Sequence, residues 1–430
     1  MKRKGTDRTA SKAVLATAAV LTAWQGAAHA DEATISEAIA AGKLLLESRA
    51  RYENVDQTGI ANTGHGASLR TRLGWETGGF KGMRALVEFE DVRQLGAERY
   101  NVQVPGVAPS LNGKAAYPII NDPDVTELNR AQITWAPAGM FTATVGRQRV
   151  LIDDQRFVGN VGGRQDEQTF DAARIDTGLG KLKATYIFVD KVNRILGEAR
   201  DWKSDSHLFT ATYAVAEPLI AQGFVYALDF TNSAANSSIT KGVKLSGKTW
   251  LGLYQVAYDA TYAQQSEYRA NTPAFDLDYY QAGVTGTFDV YSLRLAYESL
   301  EGDGTRGFTT PLATTHAFQG WADAWVSPAG NKSFVDGLED LNLTFSAQPR
   351  FRIGPLFNPA FIVRYHDFNA ERTGADLASE LDIQATAAIN TKLTALLKYA
   401  DFQRETTVPL GTAAPPADRT KIWVSLEYRY

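Results

Sequence analysis

Charge recurs at every second position over the opening part of this chain. Glu47, Arg49, Arg51 and Glu53 alternate with Leu46, Ser48, Ala50 and Tyr52. Arg70, Arg72 and Glu76 run against Leu69, Thr71, Leu73 and Trp75, and Arg84, Glu88 and Glu90 against Met83, Ala85, Val87 and Phe89. Arg130 and the pair Arg174–Asp176 repeat the pattern beside Ala131, Ile133, Ala173 and Ile175. A guanidinium is a planar fork of donors that stays charged at any relevant pH, so such rows could receive the carboxylates of a passing anion. The same residues could instead pair Arg with Glu across neighbouring strands and brace a wall. The mixed signs assign most of them to bracing and leave a few to set selectivity. Arg70 and Arg72 are the expected few, since their strand offers only Glu76 as a local counter-charge.

Other chemistry finds little support. The chain has no cysteine, so thiol catalysis, thiolate metal sites and disulfides are excluded. Ser206–His207 and His366–Asp367 are sequence neighbours whose side chains leave a strand on opposite faces, so neither forms a dyad. Asp153–Asp154 could hold Ca²⁺, but carboxylates in a long loop are more often simply solvated. No catalytic residue, cofactor or metal is expected, and an enzyme is the third choice. A formal net charge of −4 excludes a nucleic-acid binder by bulk charge.

The elements that must position these rows are strands. Period-2 segments recur at about 43–53, 67–77, 80–93, 124–136, 139–150, 169–177, 181–192, 205–216, 219–230, 238–247, 250–264, 276–288, 291–301, 337–347, 357–368, 379–390, 392–403 and 420–430, eighteen in all. Links alternate in length. Tight ones such as Gly178-Leu179-Gly180 and Asp289-Val290 follow even-numbered strands, and long ones such as 94–123, 151–168 and 302–336 generally follow odd-numbered strands. That alternation is the outer-membrane pattern of short periplasmic turns and long outer loops. The last ten residues alternate Ile422, Val424, Leu426, Tyr428 and Tyr430 with Trp423, Ser425, Glu427 and Arg429, as a closing strand should.

Lipid tolerates charge poorly, at roughly 2–4 kcal/mol for Arg or Lys near the midplane, so the charged rows must face a wet lumen. Trp75, Trp135, Trp250, Tyr254 and Tyr291, near turns on the other face, suit an interfacial girdle. A basic start (Lys2 to Lys12), an apolar run from Ala13 to Trp24 and Ala28-His29-Ala30 mark a secretory leader over 1–30, with one barrel domain over 31–430. The fold class is therefore all-β: a transmembrane antiparallel up-and-down β-barrel of about eighteen strands with both termini periplasmic. Loops 94–123 and 302–336 are expected to narrow the mouth or lumen.

Two stretches carry a family resemblance: VGRQRVLIDDQRFVGNVGGRQDEQTFDAA from Val145, and HAFQGWADAWVSPAGNKSFVDGLEDLNL from His316. Both are similar to the alginate export family of eighteen-stranded outer-membrane barrels, and the likeness extends more weakly from about Leu44 to the C-terminus. The resemblance implies an arginine-rich pore for a polyuronate, with loops gating its mouths. By motif it points to Arg147, Arg149, Asp153, Asp154, Arg156, Arg164 and Asp171, and to His316, Gln319, Trp321 and Asp323. The candidate pore-lining set is Arg49, Arg51, Arg70, Arg72, Arg84, Arg130, Arg147, Arg149, Arg156, Arg164 and Arg174. The expected function is a passive outer-membrane channel for anionic oligo- or polysaccharide; the alternative is a selective uptake porin for small organic acids or sugars. The expected partners are that anionic solute and outer-membrane lipid, with periplasmic export machinery a candidate.

Overall fold

Alternation of apolar and polar side chains lets one sheet face hydrocarbon on one side and enclose polar residues on the other, provided that it closes on itself. The computed structural model describes residues 34–104, 109–137, 139, 141–326 and 333–430, and shows that closure. The leader expected at 1–30 lies outside the described residues. The strands are β1 (Lys43–Gln57), β2 (Gly64–Glu76), β3 (Met83–Gln94), β4 (Val125–Trp135), β5 (Phe141–Gln148) and β6 (Thr169–Leu179). There follow β7 (Leu182–Asn193), β8 (Trp202–Ala216), β9 (Leu219–Leu228), β10 (Ser238–Leu251), β11 (Tyr254–Glu267), β12 (Asp276–Phe288) and β13 (Tyr291–Leu300). The chain ends with β14 (Leu338–Ala347), β15 (Arg352–Ile353), β16 (Leu356–Asn369), β17 (Asp376–Ala388), β18 (Leu393–Arg404) and β19 (Arg419–Arg429).

Each strand pairs antiparallel with the next, except that β14 pairs with β16, and β19 pairs with β1 from Glu47↔Arg429 to Gln57↔Arg419. The short β15 ladder sits inside the turn between β14 and β16, which pair directly, so the wall has eighteen staves. The eighteen-stranded antiparallel barrel is thus the observed fold. Strand ends extend by a few residues, as where β1 runs on to Gln57 and β8 starts at Trp202, and one tight turn is displaced: β10 runs on to Leu251 and turns at Gly252-Leu253, where the sequence placed the turn at Gly247-Lys248. Gly252 takes φ +63°, the left-handed conformation that a tight turn needs and glycine supplies cheaply. Tight turns share one rim with the start of β1 and the end of β19, since Lys43 faces Glu76 and Tyr430 donates its N–H to the Leu46 carbonyl at 2.9 Å. A short helix α1 (Ile35–Ala40), with a capping box on Thr34 and Glu37, tucks under that rim, where Trp75 Nε1 donates to the Ile39 carbonyl at 3.2 Å.

The outer wall is apolar, with Val87, Phe89, Ile133, Val243, Leu293 and Leu397 among its exposed side chains. Near the tight turns, Trp135 meets Phe141 edge-on at 5.4 Å and Tyr254 meets Phe288 at 5.2 Å, as an interfacial girdle requires.

The interior is not uniformly charged. Inward residues of β6 to β13 include Phe170, Ile187, Phe224, Tyr226, Leu277 and Tyr279, which pack against Val158, Phe308 and Leu312 from the loops in one apolar core. The wet, charged lumen read from the sequence is therefore corrected for this half of the barrel: burial of aromatic surface draws the loops inward and excludes water. A second apolar cluster joins Trp321 and Trp325 of the 301–337 connection to Phe368, Phe402 and Trp423 of the wall.

Candidate functional site

The connection over 149–168 is a strap across the lumen. Arg164 reaches Glu53 on β1 at 3.2 Å, and Gln165 Nε2 donates to Ser68 Oγ on β2 at 2.8 Å. Further round the wall Arg156 pairs with Glu298 of β13 and donates to Thr310 Oγ1 at 2.9 Å, while on the side opposite β1 Asp154 meets Lys244 of β10 at 3.1 Å.

Most arginines of the charged sector end on carboxylates. Arg70 pairs with Glu47 and lies 3.9 Å from Glu90 and 3.7 Å from Glu427. Arg72 pairs with Glu90 and reaches Glu47 at 3.3 Å and Glu167 at 3.4 Å. Both guanidinium groups are buried. This corrects the expectation that they stand unpaired: the counter-charges come from β1, β3 and β19 and from the strap, none of them on β2 itself. Arg130 holds Glu88 with two bonds, 2.7 and 2.8 Å. Arg149 contacts Glu167 at 2.6 Å and Glu88 at 3.5 Å, and Arg174 clasps Asp176 at 2.7 Å. Arg51 pairs with Asp122, and Arg49 donates to Gln165 at 2.8 Å and to the carbonyl of Gly162 at 3.1 Å. Arg84, near the tight-turn rim, has no ion pair among the described residues.

Arg147 is a second correction. It stands opposite Ala131 and Asp171, two residues on from Val145, whose partner is Ile133. Val145 and Ile133 are 60% and 57% exposed on the outer wall, so strand parity puts Arg147 in the outward row. It pairs there with Asp171 at 2.7 Å rather than lining a pore.

Burial alone would raise the loop carboxyls Asp122 and Glu167, but Arg51 and Arg164 hold the first down at about 2 and Arg72 and Arg149 hold the second at about 2. Both stay ionised and keep the sector neutralised.

A different arrangement faces the cavity formed where the 301–337 connection meets β19 and the strap. This pocket, about 120 Å³, is lined by Arg164, Arg194, His316, Asp323, Arg419 and Lys421 among others. Arg419 has no ion pair among the described residues and donates instead to the carbonyls of Ala322 (3.2 Å) and Asp323 (2.8 Å). Lys421 contacts Asp323 at 3.1 Å and lies 5.4 Å from the Trp423 ring. Just beneath, Lys398 Nζ sits 4.2 Å over the Trp321 ring and 3.2 Å from His316 Nε2. Arg364 lies 5.6 Å from the same indole and donates to Thr344 Oγ1 at 2.9 Å. Neither Lys398 nor Arg364 has an ion pair among the described residues. Aromatic faces hold cations without cancelling their charge.

His316 Nδ1 lies 3.0 Å from Asp323. Burial pushes the His316 imidazole down to about 4, with Lys398 adding to the fall against the pull of Asp323; at neutral pH it is uncharged. Arg194 stacks on Trp202 at 3.9 Å and lines both this pocket and a wider cleft of about 670 Å³ toward the loop mouth, which Arg200 and Arg306 also line.

His316, Trp321 and Asp323, singled out by motif, meet here. Gln319 lies elsewhere, bonded to Glu298. Arg364, Lys398, Arg419 and Lys421 were missed as candidates. Inward parity of the strands at 357–368, 392–403 and 420–430 would have found all but Arg419, which lies just before the strand boundary that alternation gave. Arg194 lies beyond a strand end and carried no signal.

A closed eighteen-stave barrel with an apolar outer belt and loops folded into a cation-bearing lumen is an outer-membrane channel. The chain belongs to the alginate export family, whose model matches residues 43–287; that match contains the first motif, and the second lies beyond it. No curated protein matches this sequence. Similar solved structures share the fold at low identity. The crystal structure of Pseudomonas aeruginosa OccK9 (OpdG) has a TM-score of 0.69 at 14% identity, covering 91% of this chain and 100% of that one. Acinetobacter baumannii OccAB2 gives 0.69 at 13%, covering 92% and 99%. Pseudomonas aeruginosa OpdK, solved with vanillate, gives 0.67 at 14%, covering 91% and 99%.

Proposed function

We propose that this channel passively conducts carboxylate-bearing anions, with uronate saccharides of the alginate type as the principal solute. The observation that carries this reading is the trio Arg364, Lys398 and Arg419 beside the inner pocket, which rest on an indole face or on backbone carbonyls with no ion pair among the described residues. Lys421 and Arg164, by contrast, are paired with Asp323 and Glu53. The trio's field is cancelled less directly than that around Arg70 and Arg72, since Asp340, Glu380 and Asp382 act on it without ion-pair contact, and low-dielectric walls strengthen it. In this reading the tight turns and both termini face the periplasm, the long loops face outward, residues 1–30 are removed, and 31–430 form one domain. Export machinery on the periplasmic side is the candidate partner for outward transport.

A second reading, uptake of small organic acids, is favoured by the narrowness of the inner pocket, about 120 Å³, and by the vanillate named with the OpdK structure. Reversal potentials in a planar bilayer with a salt gradient test the anion preference, and a wild-type pore that favours cations would sink it. Current block by a uronate oligomer, compared with block by vanillate, separates the two solutes: block by vanillate alone selects the second reading.

A further inference from the structure

The outward wall of β8 to β11 carries a groove that no transport role explains. Strand pairing sets Ala211 beside Gly223, Gly223 beside Val243, and Val243 beside Tyr262. A Cβ at Gly223 would meet nothing within 4 Å, so the floor of this row is open. Phe209, Val225, Val243 and Tyr262 form its exposed apolar shoulders, and the groove measures about 480 Å³. Lys241 and Gln264 line it one row nearer the loops, where Lys241 shares the outward parity of Val243 and Leu245.

Lys241 is an unusual residue for a lipid-facing row. It has no ion pair among the described residues. Outward carboxylates of the same band are already engaged: Asp278 accepts from Tyr262 (3.0 Å) and Tyr280 (2.9 Å), and Asp229 lies 3.7 Å from Arg269. An outward lysine costs roughly 2–4 kcal/mol at the bilayer midplane and about 0–1 kcal/mol near an interface. The tyrosines beside it mark that interface, where an ammonium finds lipid phosphate.

We infer that this groove holds one acyl chain of a phosphorylated glycolipid of the outer leaflet, with a phosphate on Lys241 and the Gln264 amide donating to the head group. The apolar floor fits a hydrocarbon chain, and the lysine supplies the complementary charge. The inference rests on the outward orientation of the loops, and on nothing about which solute the pore conducts.

The test is native mass spectrometry of the detergent-folded barrel titrated with bisphosphorylated lipid A, its dephosphorylated form, and phosphatidylglycerol. One bisphosphorylated lipid should be retained in preference to the other two. Lys241→Gln should weaken retention about ten-fold, Lys241→Arg should restore it, and Gly223→Leu should abolish it while heat-modifiable gel mobility stays that of the folded wild type. Wild-type retention by both Lys241→Gln and Gly223→Leu would overturn the site. Equal retention of phosphatidylglycerol would overturn the glycolipid. Should Lys241→Gln fail to fold, Gly223→Leu and Lys241→Arg carry the same decision.

Discussion

Two sectors of the same lumen hold their cations by different means. Along β1 to β4 the guanidinium groups of Arg70, Arg72 and Arg130 are locked to Glu47, Glu88, Glu90 and the strap's Glu167. Along β16 to β19 Arg364, Lys398 and Arg419 lean on Trp321 or on backbone carbonyls. Ion pairs of the first kind fix geometry and cancel charge. Contacts of the second kind fix geometry and leave the charge to be felt by a solute. The number of arginines is therefore a poor guide to selectivity, and what each one rests on is a better guide.

The largest expected effect lies in the braced sector. Glu90→Gln should strip the shared partner from Arg70 and Arg72, and loss of one side of a buried pair costs roughly 3–5 kcal/mol. Heat-modifiable gel mobility should show a much lower unfolding temperature. Arg70→Ser with Arg72→Ser should likewise impair assembly while leaving the reversal potential of surviving channels unchanged. Normal assembly with a shifted potential would erase the distinction between the sectors.

A smaller effect concerns His316 in the other sector. Its folded pKa, about 4, lies below the ordinary 6.5, so the unfolded chain binds more protons between these values. Stability should fall as pH drops from about 6.5 to about 4, by at most about 3 kcal/mol. His316→Gln should flatten the unfolding temperature across that window. An identical slope in wild type and variant would remove His316 as the cause.

The smallest effect sharpens the contrast most. Lys398→Gln with Arg364→Gln should fold normally and lower the anion-to-cation permeability ratio about five-fold, worth ~1 kcal/mol. An unaltered ratio would mean that the aromatic-supported cations do not set selectivity.

Alternation made the barrel legible: the number of staves, the closing strand and the outward girdle all follow from period 2 and link length. The boundary at Gly252 slipped because Lys248, Thr249 and Trp250 extend β10 without any change of pattern. The site was legible only in part. Arg70 and Arg72 were misread because counter-charges were sought along one strand, whereas sheets neutralise across strands. Arg147 was misplaced because a motif was given precedence over parity. The apolar half of the interior was overlooked because inward residues such as Phe224 and Tyr279 look, in sequence, like any lipid-facing aromatic; only the folded loops show which side they take.

The strap from 149 to 168 also has a mechanical meaning. It is fastened by Arg164 to β1 and by Asp154 to β10, nine staves apart on opposite arcs of the wall. A tube under lateral pressure from its bilayer fails by flattening, and a member tied across its diameter resists that ovalisation. The bore is then set by the length of one polypeptide segment as well as by strand number, so inserting residues between Arg156 and Arg164 would loosen the cross-section and leave every stave in register.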